Sequence, residues 1–522
     1  MKDLTPLAKM STLGTLPTEI LGLIFDNASH DSLTNLCLTS RRFPSLAQER
    51  LYKSFPGPQR TQSKLRAFVK TLIARPDLAQ RVTSLNLYQR DFAAYDGRSA
   101  TRVGGYLRRE TADQWWFDEG GEHDAFFAAI LSSGLLESAE NIERSRDYSH
   151  ADFRLLWSMS QRWGRVSIVN HINLLFTLLP NLNHLVLDAD WTPILDRVDR
   201  NPSSMVPLSV DWAAVLATKH HPLRSLTDLT FLGRRSMTIK DIFFDQSEED
   251  AADGDVNVHW DQVDPTDLLG LPALECLRFL GPLDIRCEYA LPESSINPTR
   301  LLFHGCALSC GAQVANLVRA CRRLVSFECR FDTEMGNYLP ALPFAYGMLD
   351  ALCAHQEHLR SISIGLNDSF ERFAAPRVDY EALEYDIFRS PSCLRSFPSL
   401  KHLELDFAMI RYDGVEEYHE SKKAGMIPNR ISEILPPGIE TLTIRKINTL
   451  DYTTVDYTQQ EEISLRDCSA RTWLSALAVD IPSYFPELRN VNLSLWNEED
   501  LASVDDMKWL FRSEAGVNIE ID

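Results

Sequence analysis

The fold is decided by a stretch that reads, from residue 301 to 331, LLFHGCALSCGAQVANLVRACRRLVSFECRF. Near its end stand Leu324, Phe327 and Cys329, apolar residues that follow one another after three and then two positions. The last two lie on one face of a short strand, because side chains alternate along a strand with a period of two. A helical return with its own apolar stripe has to cover that face, and each unit alone leaves apolar surface open. The stretch therefore predicts a stack of strand-and-helix units.

The same spacing recurs along the chain from residue 82. The well-formed triplets are Val82-Leu85-Leu87, Leu182-Leu185-Leu187, Leu226-Leu229-Phe231, Leu274-Leu277-Phe279, Leu324-Phe327-Cys329, Leu359-Ile362-Ile364, Leu400-Leu403-Leu405, Ile439-Leu442-Ile444 and Leu488-Val491-Leu493. Two weaker ones are Trp163-Val166-Ile168 and Pro298-Leu301-Phe303. Proline precedes several triplets by two positions, as at Pro180 and Pro398, where it ends the preceding helix and sets up the strand.

This pattern resembles the L-x-x-L-x-L core of a leucine-rich repeat, and residues 301–331 resemble the cysteine-containing subtype. The resemblance implies an α/β fold over residues 81–522, an irregular solenoid whose curved parallel sheet carries helices on its convex side. The first anchors of the last two triplets lie 49 residues apart (439 to 488), whereas a standard repeat takes about 20–29 residues. The array is therefore expected to contain insertions.

The N-terminal segment has a different period, which indicates short helices. Residues 15–55 read TLPTEILGLIFDNASHDSLTNLCLTSRRFPSLAQERLYKSF. One apolar stripe runs through Ile20, Leu23 and Ile24, and Phe25 widens it beyond what one small core would cover. Helices this short are unstable alone. The surplus apolar surface has to pack on the following domain or on a second protein.

The order of these pieces resembles an F-box, with LPTEIL at 16–21 and SRRF at 40–43. In that family a three-helix module docks on the Skp-type adaptor of SCF ubiquitin ligases. The resemblance implies an F-box at 12–55 whose adaptor-binding residues are Leu16, Pro17, Ile20, Leu21, Ile24, Phe25, Leu33, Leu36, Cys37 and Phe43. Ser32 and Ala28 depart from the family pattern, which usually has Asp and a larger aliphatic residue there. The alternative is a helical bundle that only caps the next domain.

Three further segments complete the domain organisation. Helical spacing of apolar residues from 64 to 74 predicts a linking helix within 56–80, ended by Pro76. Insertions are expected near 90–160 and at 241–267. The second insertion is acidic and lacks an apolar period, which predicts a solvated loop.

Composition and charge exclude several classes of function. Lys and Arg number 53 against 73 Asp and Glu, a net charge of −20, which argues against nucleic acid as the main partner. No apolar run approaches the roughly 20 residues of a membrane span, and Asp3 and Pro6 interrupt any secretory signal. We therefore expect a cytoplasmic or nuclear protein without a membrane partner. The 10 cysteines in 522 residues are too sparse for a disulfide scaffold and predict free thiols.

The sequence carries no recognisable enzymatic or metal-binding motif. It contains no G-x-S-x-G, H-E-x-x-H, G-x-x-x-x-G-K-[ST] or G-x-G-x-x-G, so we predict a protein without catalytic activity or cofactor. A zinc site is the rival interpretation of His304, Cys306, Cys310, Cys321 and Cys329. No C-x-x-C pair exists, however, and the strand pattern turns His304 outward and Cys306 inward. We predict no metal site.

The polar residues of the strands point away from the apolar anchors. The outward positions include His184, Asp188, Arg278, Arg300, His304, Glu328, Arg330, His402, Glu404, Asp406 and Arg445. They form a mosaic with a basic middle and an acidic stretch at 404–406. This mosaic is either a surface for a protein target or an ordinary polar sheet face.

The two resemblances together imply a substrate-recognition subunit. The F-box would join a Skp-type adaptor and, through it, a cullin-based ubiquitin ligase, while the repeats hold an unidentified protein substrate. Irregular repeats beside a short F-box resemble the large fungal class of such proteins. The rivals are a repeat scaffold that acts outside ubiquitin ligation and an enzyme with its site in residues 88–160.

Overall fold

The computed structural model describes the chain in segments. They are residues 16–39, 42–55, 62–87, 174–188, 223–233, 261–263, 265–281, 283–285, 291–306, 311–331, 348–366, 391–406, 434–447, 470–495 and 508–521, with the single positions 13, 125, 128, 129 and 172. The chain divides into two units, Met1–Leu229 with Leu271–Leu274, and Thr230–Gly270 with Glu275–Asp522.

The first unit begins with three short helices, α1 (Thr18–Asp26), α2 (His30–Thr39) and α3 (Phe43–Leu51). Pro17 directly precedes α1, and a proline also lies in the first turn of α3. Proline is tolerated at these positions, because the first N–H groups of a helix have no partner inside it.

The helices lead into a small parallel sheet. The chain continues through β1 (Ser54–Phe55), α4 (Gln62–Ala74), α5 (Pro76–Ala79), β2 (Ser84–Leu87) and β3 (His184–Asp188). Strand β1 pairs with β2, and β2 with β3, all parallel. Helix α4 lies where the sequence predicts a linking helix, and the proline beyond its end opens α5. The sequence did not predict β1, whose two residues end the N-terminal segment 12–55.

The second unit is built on a larger parallel sheet. Strand β4 (Asp228–Leu232) begins in the first unit and ends in the second. The later strands are β5 (Asp261–Val263), β6 (Cys276–Leu280), β7 (Leu283–Ile285), β8 (Arg300–Cys306), β9 (Ser326–Phe331), β10 (Ser361–Leu366), β11 (His402–Asp406), β12 (Thr441–Ile447), β13 (Asn490–Leu495) and β14 (Asn518–Ile521). From β6 the order is β6-β8-β9-β10-β11-β12-β13-β14, and β5 pairs with β7 separately.

Helical segments stand between these strands. They are α6 (Thr266–Leu269), α7 (Gly311–Ala320), α8 (Ala470–Tyr484), the 3-10 helices Cys353–His355 and Pro391–Ser396, and the π-helical turn Phe511–Ala515. N-terminal helices followed by a parallel sheet with helices confirm an α/β fold. The leucine-rich-repeat solenoid stays a prediction.

The register places the anchors of neighbouring strands opposite each other. Leu277 stands opposite Leu301, Leu301 opposite Phe327, and Phe327 opposite Ile362. All anchors of the well-formed triplets are buried. A slip of one residue would turn a whole strand's anchors to the other face, so this apolar pattern specifies the pairing.

A row of phenylalanine rings fills part of the core behind β4, β6, β8 and β9. The ring centroids of Phe231 and Phe279 lie 5.3 Å apart, those of Phe279 and Phe303 5.1 Å, and those of Phe303 and Phe327 6.0 Å. The first three are the last anchors of their triplets, whereas Phe327 is a middle anchor. Aromatic pairs at such distances add stabilisation beyond the apolar area they bury. Neighbouring strands are therefore joined by their rings as well as by their backbones.

The structure differs from the sequence expectations in two places. The end of the acidic segment 241–267 is not loop: Asp261–Val263 form β5, and Thr266 begins α6, whose Leu268 and Leu269 are buried. Strand β14 adds a strand that the triplet pattern missed. The triplet Trp163-Val166-Ile168 lies outside the described residues, as does nearly all of 90–160. Among the described helices, none is long and apolar enough to cross a bilayer.

Candidate functional site

The three N-terminal helices share one small core. Leu21 and Phe25 of α1, Leu33 of α2, and Phe43 and Ala47 of α3 are all buried in it. The rings of Phe25 and Phe43 meet edge to face with centroids 5.7 Å apart, an arrangement favoured by the ring quadrupoles. This core fixes α1 against α3 and so determines which side of α1 is left outside.

Polar contacts tighten the packing of α1 on α3. The Nε of Arg50 donates a hydrogen bond to Oδ1 of Asp26 at 3.0 Å. The guanidinium of Arg50 passes over Gly22, where an added Cβ would lie 3.1 Å from its Nη2. Arg42 donates to the carbonyl oxygen of Leu16 at 2.9 Å, which holds the entry of α1. The small residue at position 22 lets the arginine cross this close.

Helix α1 is apolar on both sides. Opposite the core, the exposed fractions are 43% for Ile20, 63% for Leu23 and 38% for Ile24, and Leu38 of α2 is 82% exposed. Pro17 is exposed as well. We call Pro17, Ile20, Leu23 and Ile24 the α1 face. A helix that packs on one core needs an apolar stripe on one side only. The second stripe is therefore not needed for the folding of this module.

The ten residues predicted to bind an adaptor fall into three groups. Leu21, Phe25, Leu33 and Phe43 form the core, and Leu16, Leu36 and Cys37 are partly buried against it. Pro17, Ile20 and Ile24 are exposed. The predicted set left out Leu23 and Leu38, although the sequence already placed Leu23 on one apolar stripe with Ile20 and Ile24. Pattern matching to a family motif does not separate the residues that build a module from those on its surface.

A second group of polar side chains lies on the outward face of β8, β9, β11 and β12. The Nε2 of His304 and Oε1 of Glu328 lie 2.8 Å apart. Nη2 of Arg330 contacts the same Glu328 oxygen at 3.0 Å and Oε1 of Glu404 at 3.6 Å. Glu404 also pairs with Arg445. We call these five residues the charged strip.

Strand β10 contributes a hydroxyl to the charged strip. Ser363 donates from Oγ to Oε2 of Glu404 at 2.8 Å. Its neighbour Gly365 stands in register with Arg330 and has no side chain to obstruct it. The arginine of β9 can therefore reach across β10 to the glutamate of β11. The acidic stretch expected at 404–406 is thus neutralised at Glu404 by two arginines.

Electrostatics in the charged strip favour the ionised form of Glu328. Its pKa is lowered, chiefly by the hydrogen bond with His304, while partial burial opposes the shift and the charges of His304 and Arg330 add to it. The side chains of His304 and Glu328 are both partly exposed to solvent. Ion pairs that are partly exposed to solvent contribute little to stability, so exchanging their partners has a low energetic cost.

The cysteines behave as small apolar residues. Cys306, Cys321 and Cys329 are buried, and burial raises the pKa of the Cys321 thiol to about 12. Sγ of Cys321 lies 3.3 Å from the carbonyl oxygen of Leu317 in the preceding helix, α7. Within the described segments, no group of three or more His, Cys, Asp or Glu side chains has the arrangement of a metal site. Cys310 lies outside them.

Comparison with known families bears on the N-terminal helices. An F-box-like family model matches residues 13–55, the span of α1 to α3. No curated protein matches the chain. The match supports an F-box protein and, in general terms, an SCF-type adaptor role, because F-box domains typically bind Skp-type adaptors.

Proposed function

We propose that this protein is a substrate-recognition subunit of an SCF-type ubiquitin ligase, of the fungal type with leucine-rich repeats. Its F-box docks the Skp-type adaptor, which brings a cullin-based ligase, and its repeats hold a target protein. The observation that carries the proposal is the α1 face, an exposed apolar stripe within the F-box-like residues 13–55. An apolar stripe of this kind is typical of a protein interface.

The alternative of a capping bundle predicts that the following domain covers this stripe. The contacts that join the F-box segment to α4 and β2 lie elsewhere: Tyr52 stacks on Phe68 of α4 with ring centroids 6.2 Å apart. Thr83 and Ser84 donate from their backbone N–H groups to the carbonyl oxygen of Lys53. Leu23 and Ile20 stay exposed despite these contacts. Their exposure favours docking of a second protein over capping.

The ten predicted residues then take two roles. Pro17, Ile20 and Ile24, together with Leu23, would contact the adaptor directly. Leu21 and Phe25 would act by holding α1 in place, since their side chains are buried in the core. Alanine at a core position would lose adaptor binding through unfolding, whereas a change on the α1 face would lose it without unfolding.

The role of the repeats is to hold the target in the same assembly as the ligase. Parallel strands in register present a row of outward side chains from each repeat, which is how repeat proteins build extended binding surfaces. Ubiquitin transfer itself is done by other subunits, and this chain acts by proximity without an active site of its own. We expect this assembly to act in the cytoplasm or the nucleus.

Co-purification with a Skp-type adaptor tests the docking step. We expect the double substitution Ile20→Glu with Leu23→Glu to weaken adaptor binding by 100-fold or more, about 3 kcal/mol, because two charges would be buried in an apolar interface. The control is Val479→Glu, the same change at a side chain with a matched exposure of 62% outside the F-box. It should bind like the wild type.

Three results would count against the proposal. A wild-type protein that does not retain the adaptor removes its central claim. A double variant that binds as well as Val479→Glu, with circular dichroism unchanged, shows that the α1 face is not the docking surface. A bound partner whose cellular level does not rise on proteasome inhibition would favour the rival repeat scaffold.

A further inference from the structure

The outward face of the larger sheet is not acidic, although the whole chain has a net charge of −20. Arg278, Arg300, Arg330 and Arg445 occupy outward register positions on β6, β8, β9 and β12. The acidic residues in the same rows are Glu328, Glu404, Asp406 and Glu520. Arginines and acidic residues therefore balance on this face, in contrast to the acidic excess of the whole chain.

Arg330 lies between two glutamates that each have another partner. Glu328 also pairs with His304, and Glu404 also pairs with Arg445 and accepts the hydroxyl of Ser363. If Arg330 moved to a ligand, each glutamate would keep a partner. Partly exposed ion pairs of this type are worth about 0–1 kcal/mol, so the exchange has a low energetic cost.

The resting position of Arg330 is also incompletely satisfied. Its Nε is shielded from solvent and has no hydrogen-bond partner within the described part of the chain. An unpaired buried N–H is costly. A carboxylate that accepts from Nε and one Nη together would satisfy both, since the guanidinium fork matches a carboxylate.

Strand β10 would offer room for a ligand once Arg330 leaves Glu404. Its outward residues are Ser361, Ser363 and Gly365, whose neighbours in register on β9 are Ser326, Glu328 and Arg330. Ser363 and Gly365 are buried in the free protein, where Arg330 and Glu404 meet across β10. When Arg330 turns to a ligand, these small residues leave a furrow between the longer side chains of β9 and β11. Strands lie about 4.8 Å apart, so β9 and β11 are separated by roughly 10 Å, enough for one extended chain.

We propose that the furrow over β10 binds an extended peptide segment rich in Asp and Glu, one of whose carboxylates replaces Glu404 as the partner of Arg330. This inference rests on the proposed function, in which the repeats hold the target. Glu404 then serves in the free protein as an internal stand-in for the acidic side chain of the target.

The test measures binding of defined peptides to the full chain by fluorescence anisotropy at about 0.15 M salt, the physiological ionic strength. The probes are labelled peptides of about a dozen residues, of alternating Glu and Ser, of Lys and Ser, and of Ala and Ser. The Glu peptide should bind most tightly. Arg330→Gln should weaken it about tenfold, the loss of one charge-assisted bidentate contact.

Two further variants separate a ligand role from a structural one. Glu404→Gln should strengthen binding of the Glu peptide several-fold, because it removes the internal competitor for Arg330. Arg323→Gln removes the same charge at an exposed residue just before β9 and should change binding less than about twofold. If Arg330 only supported the fold, Glu404→Gln would weaken binding or leave it unchanged.

Equal affinity for the three peptides, or insensitivity of the Glu peptide to Arg330→Gln, would overturn the inference. Adaptor binding is measured on the same samples, and the Arg330 and Glu404 variants should retain it. A chain that binds the adaptor but not the Glu peptide refutes this inference alone. A chain that fails to bind the adaptor refutes the proposed function instead.

Discussion

The α1 face and the charged strip are both exposed, yet they deal with exposure in opposite ways. On α1, Leu23 and Ile20 remain open to solvent and lie on the reverse of a helix that already fills a core. In the charged strip, Glu328 pairs with Arg330 of its own strand, and Glu404 pairs with Arg445 of the neighbouring strand. Exposed apolar side chains are stabilised only when another surface covers them, whereas charged side chains can pair with one another and can exchange these partners. The α1 face therefore suits a stable interface, and the charged strip suits a selective one.

The largest expected effect separates the two sides of α1. Phe25→Ala removes a buried ring and should cost the N-terminal module about 3–5 kcal/mol. Leu23→Ala, on the exposed side, should cost less than about 0.5 kcal/mol. Hydrogen exchange of the full chain, followed by mass spectrometry, measures this difference. The amides of α1 should exchange more than roughly 100-fold faster than in the wild type in Phe25→Ala, but not in Leu23→Ala. Equal protection in the two variants would show that α1 has no distinct core side.

The next largest effect on stability is expected at His355, an ionisable side chain that is buried and not paired at the surface. His355 is 4% exposed, its Nε2 lies 2.7 Å from the carbonyl oxygen of Val318, and its Nδ1 faces the N–H of Leu324 at 3.5 Å. The ring is therefore neutral, with its proton on Nε2. Burial lowers the pKa of His355, and the charge of His358 adds to this, while the bond to Val318 opposes it.

The sign of the pH dependence comes from that lowered pKa. A histidine whose pKa is lower in the folded than in the unfolded chain contributes stability above the unfolded value of about 6.5, and this is lost as pH falls through the folded value. The urea concentration at the midpoint of wild-type unfolding should therefore decrease as the pH is lowered from about 7.5 to about 5. At about pH 7.5, His355→Leu should lower the free energy of unfolding by about 1–3 kcal/mol. The urea midpoint of this variant should also depend less on pH than that of the wild type. The control is His358→Gln, at an exposed position, whose urea midpoint should change with pH nearly as in the wild type. If the midpoint of His355→Leu also changes with pH as in the wild type, other groups cause the pH dependence.

The smallest effect is expected in the charged strip. His304→Gln removes the contact that contributes most to the lowered pKa of Glu328. Because both side chains are partly exposed, the free energy of unfolding should change by less than about 1 kcal/mol. The stabilisation from Glu328 is present above the pKa of this residue in the unfolded chain, and it is lost as pH falls through the lower pKa of the folded chain. In urea titrations, the variant should therefore be less stable than the wild type near neutral pH and equally stable at acidic pH. A loss as large as that of Phe25→Ala would show that the strip is a structural core.

Periodicity predicted much of the fold. The triplet spacing located strands such as β9 and β10 because each unit has to bury the same two inward positions. It missed β14, where Gly516, with φ 65°, stands at the position of the first anchor. Alternation at Val517 and Ile519 was the signal available there. Strand β1 offered none, since two residues have no period.

The charged strip lay beyond what spacing can predict. Arg330 on β9 meets Glu404 on β11, and Arg445 lies a further strand away, so their meeting depends on the register of β9 to β12. The sequence placed each on the outward face. It did not show that Gly365 and Ser363 leave space for the arginine to cross.

By itself, then, the sequence determined the N-terminal helices, the repeated strands and the inward or outward direction of their side chains, because local period and burial are properties of short segments. Only the tertiary structure decided which apolar residues of α1 are buried in its core and which are left for a partner. It also decided which charges neutralise one another across strands. Both depend on atoms brought together from distant parts of the chain, where packing and Coulomb interactions act over a few ångströms in space and not along the sequence.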